Sequence, residues 1–159
     1  MDALLIKIIK RILKYLVIIL LCVFISPCVS ASKAEQLKRV TQKLVPAPFL
    51  PKHDQINTGS PKIIEVRMSI KEKEIEVEPG VFIHAMTFDG NVPGPMIVAH
   101  QDDYVELTLV NPSSNKLMHN IDFHAATGAM GGGELTKVSP GQAVVMRFKV
   151  VKPGVFIYH

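Results

Sequence analysis

Cysteine is nearly missing from this 159-residue chain: only Cys22 and Cys28 occur, both within an apolar N-terminal stretch. Beyond residue 31 there is none, which excludes a disulfide framework for that part. An excess of one charge is equally scarce. Residues 1–31 hold Lys7, Lys10, Arg11 and Lys14 against Asp2, and the remainder carries 14 Lys/Arg against 13 Asp/Glu. The isoelectric point of about 9.1 thus reflects the N-terminus and gives no case for a nucleic-acid partner. Repeats and low-complexity tracts are absent too. The uninterrupted apolar run, Tyr15 to Ile25, is short of the roughly 20 residues that span a bilayer.

What the N-terminus does contain is a basic segment, an apolar core and a small-residue exit at Val29-Ser30-Ala31. That order predicts a signal peptide over 1–31 with Ser32 as the new N-terminus, and hence export to the periplasm or cell envelope. An uncleaved N-terminal anchor is the alternative. Cys28 does not fit a lipoprotein site, because Pro27 stands where a small residue is wanted. Residues 32–60 read as a linker. Ala34 to Leu44 has the composition for a helical turn or two, and Pro46, Pro48 and Pro51 interrupt any regular element after it.

From residue 61 the pattern is all-β. Strands are predicted at Ile63–Ile70, Lys73–Val77, Val81–Phe88, Met96–Ala99, Tyr104–Val110, Ala143–Val150 and Val155–Tyr158, with Gly/Pro turns between them. Several strands of this size argue a sandwich or Greek-key barrel, and about 100 residues suffice for one modest core.

The chemistry-bearing stretch is Met118 to His124, followed by Gly131-Gly132-Gly133 and, at the end of the chain, Tyr158-His159. In an extended segment side chains alternate faces, so Asp122 and His124 point one way and His119 the other. At roughly 3.3 Å per residue the two imidazoles lie about 16 Å apart along the strand. This geometry suits two sites better than one chelate. A single strand histidine is ordinarily just a hydrogen-bonded residue, and Asp122 could equally serve as a turn or cap. His53, His84 and His100 are read that way outright, having no metal-type neighbour in sequence.

The run His119-Asn120-Ile121-Asp122-Phe123-His124-Ala125-Ala126-Thr127-Gly128-Ala129 with Gly131-Gly132-Gly133-Glu134-Leu135-Thr136 resembles the first domain of copper-containing nitrite reductases. The likeness continues through Val138-Ser139-Pro140-Gly141 and Lys152-Pro153-Gly154-Val155-Phe156-Ile157-Tyr158-His159. Thr87-Phe88-Asp89-Gly90-Asn91-Val92-Pro93-Gly94-Pro95 resembles a segment shared with multicopper oxidases. The resemblance covers roughly 61–159 and implies a cupredoxin fold, a Greek-key β-sandwich, over those residues.

By the same resemblance, His119 matches a ligand of the electron-receiving type 1 copper. His124 and His159 match two ligands of the type 2 copper that binds nitrite, and Asp122 matches the aspartate that hydrogen-bonds nitrite and delivers protons. A soft thiolate with imidazoles makes an electron-transfer copper, whereas imidazoles alone leave an exchangeable position for substrate. The family's thiolate follows the position of His159, and its third type 2 histidine comes from a neighbouring subunit. Neither is in this sequence, so the expectation is a first cupredoxin domain incomplete at its C-terminus and inactive alone. Val155 and Ile157 are expected to lack part of their cover.

The partners so implied are nitrite, a periplasmic electron donor (a small copper protein or c-type cytochrome) and a homotrimer. The alternative is a non-catalytic exported cupredoxin-like copper-binding module. A laccase-like oxidase is weaker, since it would want paired His-x-His ligands.

Overall fold

The structure, a computed structural model, describes residues 36–126 and 129–159. The expected signal peptide over 1–31 with its two cysteines lies outside the described residues, as do Thr127 and Gly128 of the histidine motif. One compact unit spans Gln36–His159. Among the described residues there is no α-helix, and a 3-10 turn spans Ala129–Gly132. The strands are β1 (Arg39–Thr41), β2 (Ile63–Glu78), β3 (Val81–Phe88), β4 (Tyr104–Asn111) and β5 (Gln142–Lys149).

Strand β2 organises the rest. Its first half runs parallel to β1, Arg39 opposite Ile63, and parallel to β4, Ile63 opposite Tyr104 through Ser69 opposite Val110. From Ile70 onward its partner is the antiparallel β3, starting with Ile70 opposite Phe88. Strand β5 lies antiparallel beside β4, which gives the order β1-β2-β4-β5 with β3 off β2. A strand that leaves one pairing system for another makes the corner between the layers of a sandwich.

Alternation along β4 is strict: Val105, Leu107, Leu109 and Asn111 are buried, and their neighbours are half-exposed. The buried hydrophobes pack with Ile64, Val66, Met68 and Ile70 of β2 and with Ile121, Phe123 and Val138 from the segments that cover the sheet. Each such side chain contributes about 1.5–3 kcal/mol by leaving water. The solvent face carries charge instead. Arg39 pairs with Glu65 and Glu106, and Arg147 with Glu106, so that ion pairs run across β1, β2, β4 and β5.

Four local expectations differ from what is found. Ala34 to Leu44 has the composition for a helical turn or two, yet Arg39–Thr41 within it is a strand, because pairing with β2 outweighs a weak local preference. It brings part of the expected linker into the sheet. The two strands expected at 63–70 and 73–77 are one, since no turn former separates them. Met96–Ala99 forms no strand. There the Gln42 amide replaces a neighbouring strand, donating to the Val98 carbonyl at 2.7 Å and accepting from its N–H at 3.0 Å. Val155–Tyr158 is extended but bridged only at Tyr158, opposite Phe123. Val155 and Ile157, on the side opposite the inward Tyr158, stand 92% and 67% exposed.

Candidate metal centre

The segment from His119 to His124 is held in place residue by residue. His119 exchanges backbone hydrogen bonds with Val138, at 3.1 and 2.8 Å. The fully buried Thr136 hydroxyl accepts from Ile121 N at 2.9 Å and reaches the Ile121 and Gly132 carbonyls at 2.8 and 2.9 Å. Asp122 exchanges backbone hydrogen bonds with His159, at 2.8 and 3.1 Å, and His124 N donates to Ile157 O at 3.0 Å.

This short antiparallel pairing sets the side-chain directions. Phe123 points into the core, 5% exposed, where its ring packs on Phe148 and Tyr158 with centroids 5.0 and 5.5 Å away. Its neighbours Asp122 and His124 must therefore face outward, and His159, next to the inward Tyr158, joins them. The ligand-type atoms of Asp122, His124 and His159 all lie within 4.8 Å of one another. The two imidazole Nε2 atoms are 3.2 Å apart. Tyr158 is anchored below them, its hydroxyl donating to Pro95 O at 2.5 Å, and burial with nearby Asp89 pushes its phenol up to about 12.

The triple glycine closes on this site. Gly131 accepts a hydrogen bond from Phe123 N at 2.9 Å and adopts φ +63°. A Cβ there would sit 2.6 Å from Phe123 O and 2.8 Å from Phe123 N, and in collision with Asp122 Oδ1. Only glycine lets the loop backbone come this near to Asp122.

His119 is not part of the cluster. Its ring turns to Glu72, with Nε2 2.9 Å from Oε1. Glu72 also accepts from the backbone N–H groups of Lys116 and Leu117. The His119 ring and these two amides hold its carboxyl down to about 2. Sequence reasoning missed Glu72, which is 47 positions from His119 and meets it only through the sheet topology. Of the other histidines, His53 Nδ1 sits 2.9 Å from Pro51 O and His100 Nδ1 3.7 Å from Asp103. Neither belongs to a three-residue metal cluster among the described residues.

The donor set fits a copper ion. Metal–imidazole bonds of about 2 Å in a roughly tetrahedral arrangement place ligand nitrogens a little over 3 Å apart, which is the spacing of the two Nε2 atoms. Neutral imidazoles are suited to copper, and the adjacent carboxylate adds a hydrogen-bonding edge.

Comparison with known proteins agrees with this chemistry. A family model described as multicopper oxidase matches residues 69–159. The copper-containing nitrite reductase of Neorhizobium galegae is 58% identical over 131 residues, covering 82% of this chain and 35% of that protein. That of Alcaligenes faecalis is 54% identical over the same length, with the same coverage. The chain therefore spans about a third of the length of these curated relatives. Among solved structures, the copper nitrite reductase of Nitrosomonas europaea matches with a TM-score of 0.57 at 35% identity, over 62% of this chain and 34% of that one. A multicopper oxidase from Campylobacter jejuni, at 24% identity and a TM-score of 0.53 over 79% of this chain and 26% of that one, shares the fold. The chain belongs to the multicopper oxidase family, whose cofactor is copper, and its described domain is a cupredoxin domain of the copper-containing nitrite reductase type.

Proposed function

We propose that this chain supplies part of an exported enzyme that reduces nitrite to nitric oxide, taking up one electron and two protons and releasing water. The observation that carries the reading is the gathering of Asp122, His124 and His159 within 4.8 Å on one outward flank. Copper bound there would supply a one-electron couple and an exchangeable position for a nitrite oxygen. His124 and His159 would hold it through Nε2. The Asp122 carboxylate, beside the same position, would accept and pass protons at Oδ1 or Oδ2 and orient nitrite by hydrogen bonding. His119, on the other face, would belong to the electron-receiving type 1 copper. On this reading the enzyme works in the periplasm as a homotrimer, which provides a third type 2 histidine. Its donor there is a small copper protein or c-type cytochrome.

The test is electron paramagnetic resonance of Cu(II) added to the full chain, before and after nitrite. His124→Ala and His159→Ala are expected to remove the nitrogen-coupled signal. Asp122→Asn should keep the signal and weaken its response to nitrite. Copper binding indifferent to both histidine substitutions would overturn the assignment of the site. Copper binding without any nitrite response would favour the non-catalytic copper-binding module instead.

A further inference from the structure

We infer that Glu72 is a positioning residue for His119, fixing its imidazole in the Nε2–H tautomer so that Nδ1 is the nitrogen left for a metal. The inference rests on the proposed reading of His119 as a copper ligand and goes beyond it by naming what aims that ligand.

The contact between Glu72 Oε1 and His119 Nε2 is shielded, the two side chains being 6% and 10% exposed. Glu72 already accepts from two donors that can only donate, Leu117 N at 2.9 Å and Lys116 N at 3.1 Å to Oε1, with Lys116 N also 3.0 Å from Oε2. A carboxylate so placed has no proton to offer the ring. The hydrogen in the contact must therefore sit on Nε2. A neutral imidazole with one protonated nitrogen keeps its lone pair on the other. Nδ1 is thus the donor that remains.

The rest of the molecule holds this geometry. Both backbone groups of His119 bond to Val138, so the ring has little freedom beyond its own torsions. Glu72 lies on β2 just past the change of partner from β4 to β3, opposite Met86, and its own N–H donates to Asn115 Oδ1 at 3.3 Å. Asn115, 8% exposed, donates to Ile70 O at 3.0 Å and to Asn111 Oδ1 at 2.7 Å. Asn111, fully buried, donates to Leu117 O and Val138 O at 2.8 and 2.9 Å. One connected polar network thus fixes the carboxylate, the loop it caps and the backbone of the histidine. Carboxylate partners of ligand histidines serve in metal sites to set tautomer and ring orientation, and their loss typically weakens metal affinity about 10- to 100-fold.

The experiment reads the ring nitrogens of His119 by 15N NMR in the copper-free full chain, assigned by comparison with His119→Gln. At a pH high enough for the ring to be neutral, the wild-type chain should show a protonated Nε2 and an unprotonated Nδ1. Glu72→Gln, whose amide oxygen still accepts, should keep that pattern. Glu72→Ala should lose it, giving a mixture of tautomers. A structural role alone would not make the tautomer follow the acceptor. A wild-type Nδ1–H tautomer overturns the inference whatever the variants do, as does a folded Glu72→Ala chain with the pattern unchanged. The tautomer is read without metal, so failure of Cu(II) to bind at His124 and His159 would sink the proposed function and leave this result standing.

Discussion

Replacing Gly131 with alanine tests how closely the glycine loop is fitted to Asp122. Two costs arise. The residue sits at φ +63°, where an L side chain loses about 1–2 kcal/mol. The new methyl would also press on Phe123 O and N, at 2.6 and 2.8 Å, and these backbone atoms cannot turn aside as a side chain could. Forcing a methyl group into filled space costs typically about 1–3 kcal/mol, so the sum is about 2–5 kcal/mol. Gly80 provides the control. Its φ is +77°, but a Cβ there meets nothing within 4 Å, so Gly80→Ala should show the conformational cost alone. Urea denaturation of both variants separates the two costs, and a Cu(II) titration reports the effect on the site. Gly131→Ala should be the less stable by about 1–3 kcal/mol and should bind copper more weakly. Equal losses at the two positions would show that the loop has room and that the close approach to Asp122 is not a constraint.

Thr136→Val should destabilise the domain by about 1–3 kcal/mol, because it leaves the buried Ile121 N–H without its acceptor at 2.9 Å; a neutral result in thermal or urea unfolding would contradict the role given to that hydroxyl. Tyr158 should ionise late. Its folded value of about 12 lies above the ordinary 10.0, so its contribution to stability is complete below pH 10 and is lost as pH rises through 12. Ultraviolet titration should show a late phenol that Tyr158→Phe abolishes, and simultaneous ionisation of every tyrosine would argue against its burial. Copper added to a chain without its first 31 residues should give no intense visible thiolate band, since no cysteine remains. A strongly blue or green preparation would refute that.

Much of the centre was legible in the sequence because a strand has a period of two. With Phe123 committed to the core, Asp122 and His124 had to share the opposite flank, and the alternating β4 was readable for the same reason. The mirrored pair His159 and Tyr158 was not placed by local pattern, since its partner segment lies 35 residues away. Pairing partners also explain the misreadings. Residues 39–41 became strand because β2 offered them an edge, and Met96–Ala99 stayed irregular because one glutamine side chain satisfied Val98. Glu72 was invisible for a different reason. Between Lys71 and Lys73 it reads as part of a solvated charged run, and only the fold turns it inward to a histidine and two amides.

The pairing of residues 122–124 with 157–159 has a consequence for how the metal arrives. Its hydrogen bonds run through backbone atoms, while His124 and His159 themselves are exposed. The spacing between the imidazoles is therefore dictated by main chain and by the aromatic packing of Phe123 and Tyr158 beneath it. On the proposed assignment, copper would not have to fold the protein around itself. It would dock on a finished rim, so loading and removal should leave the core as it was, and occupancy could follow the copper supply after the chain has folded.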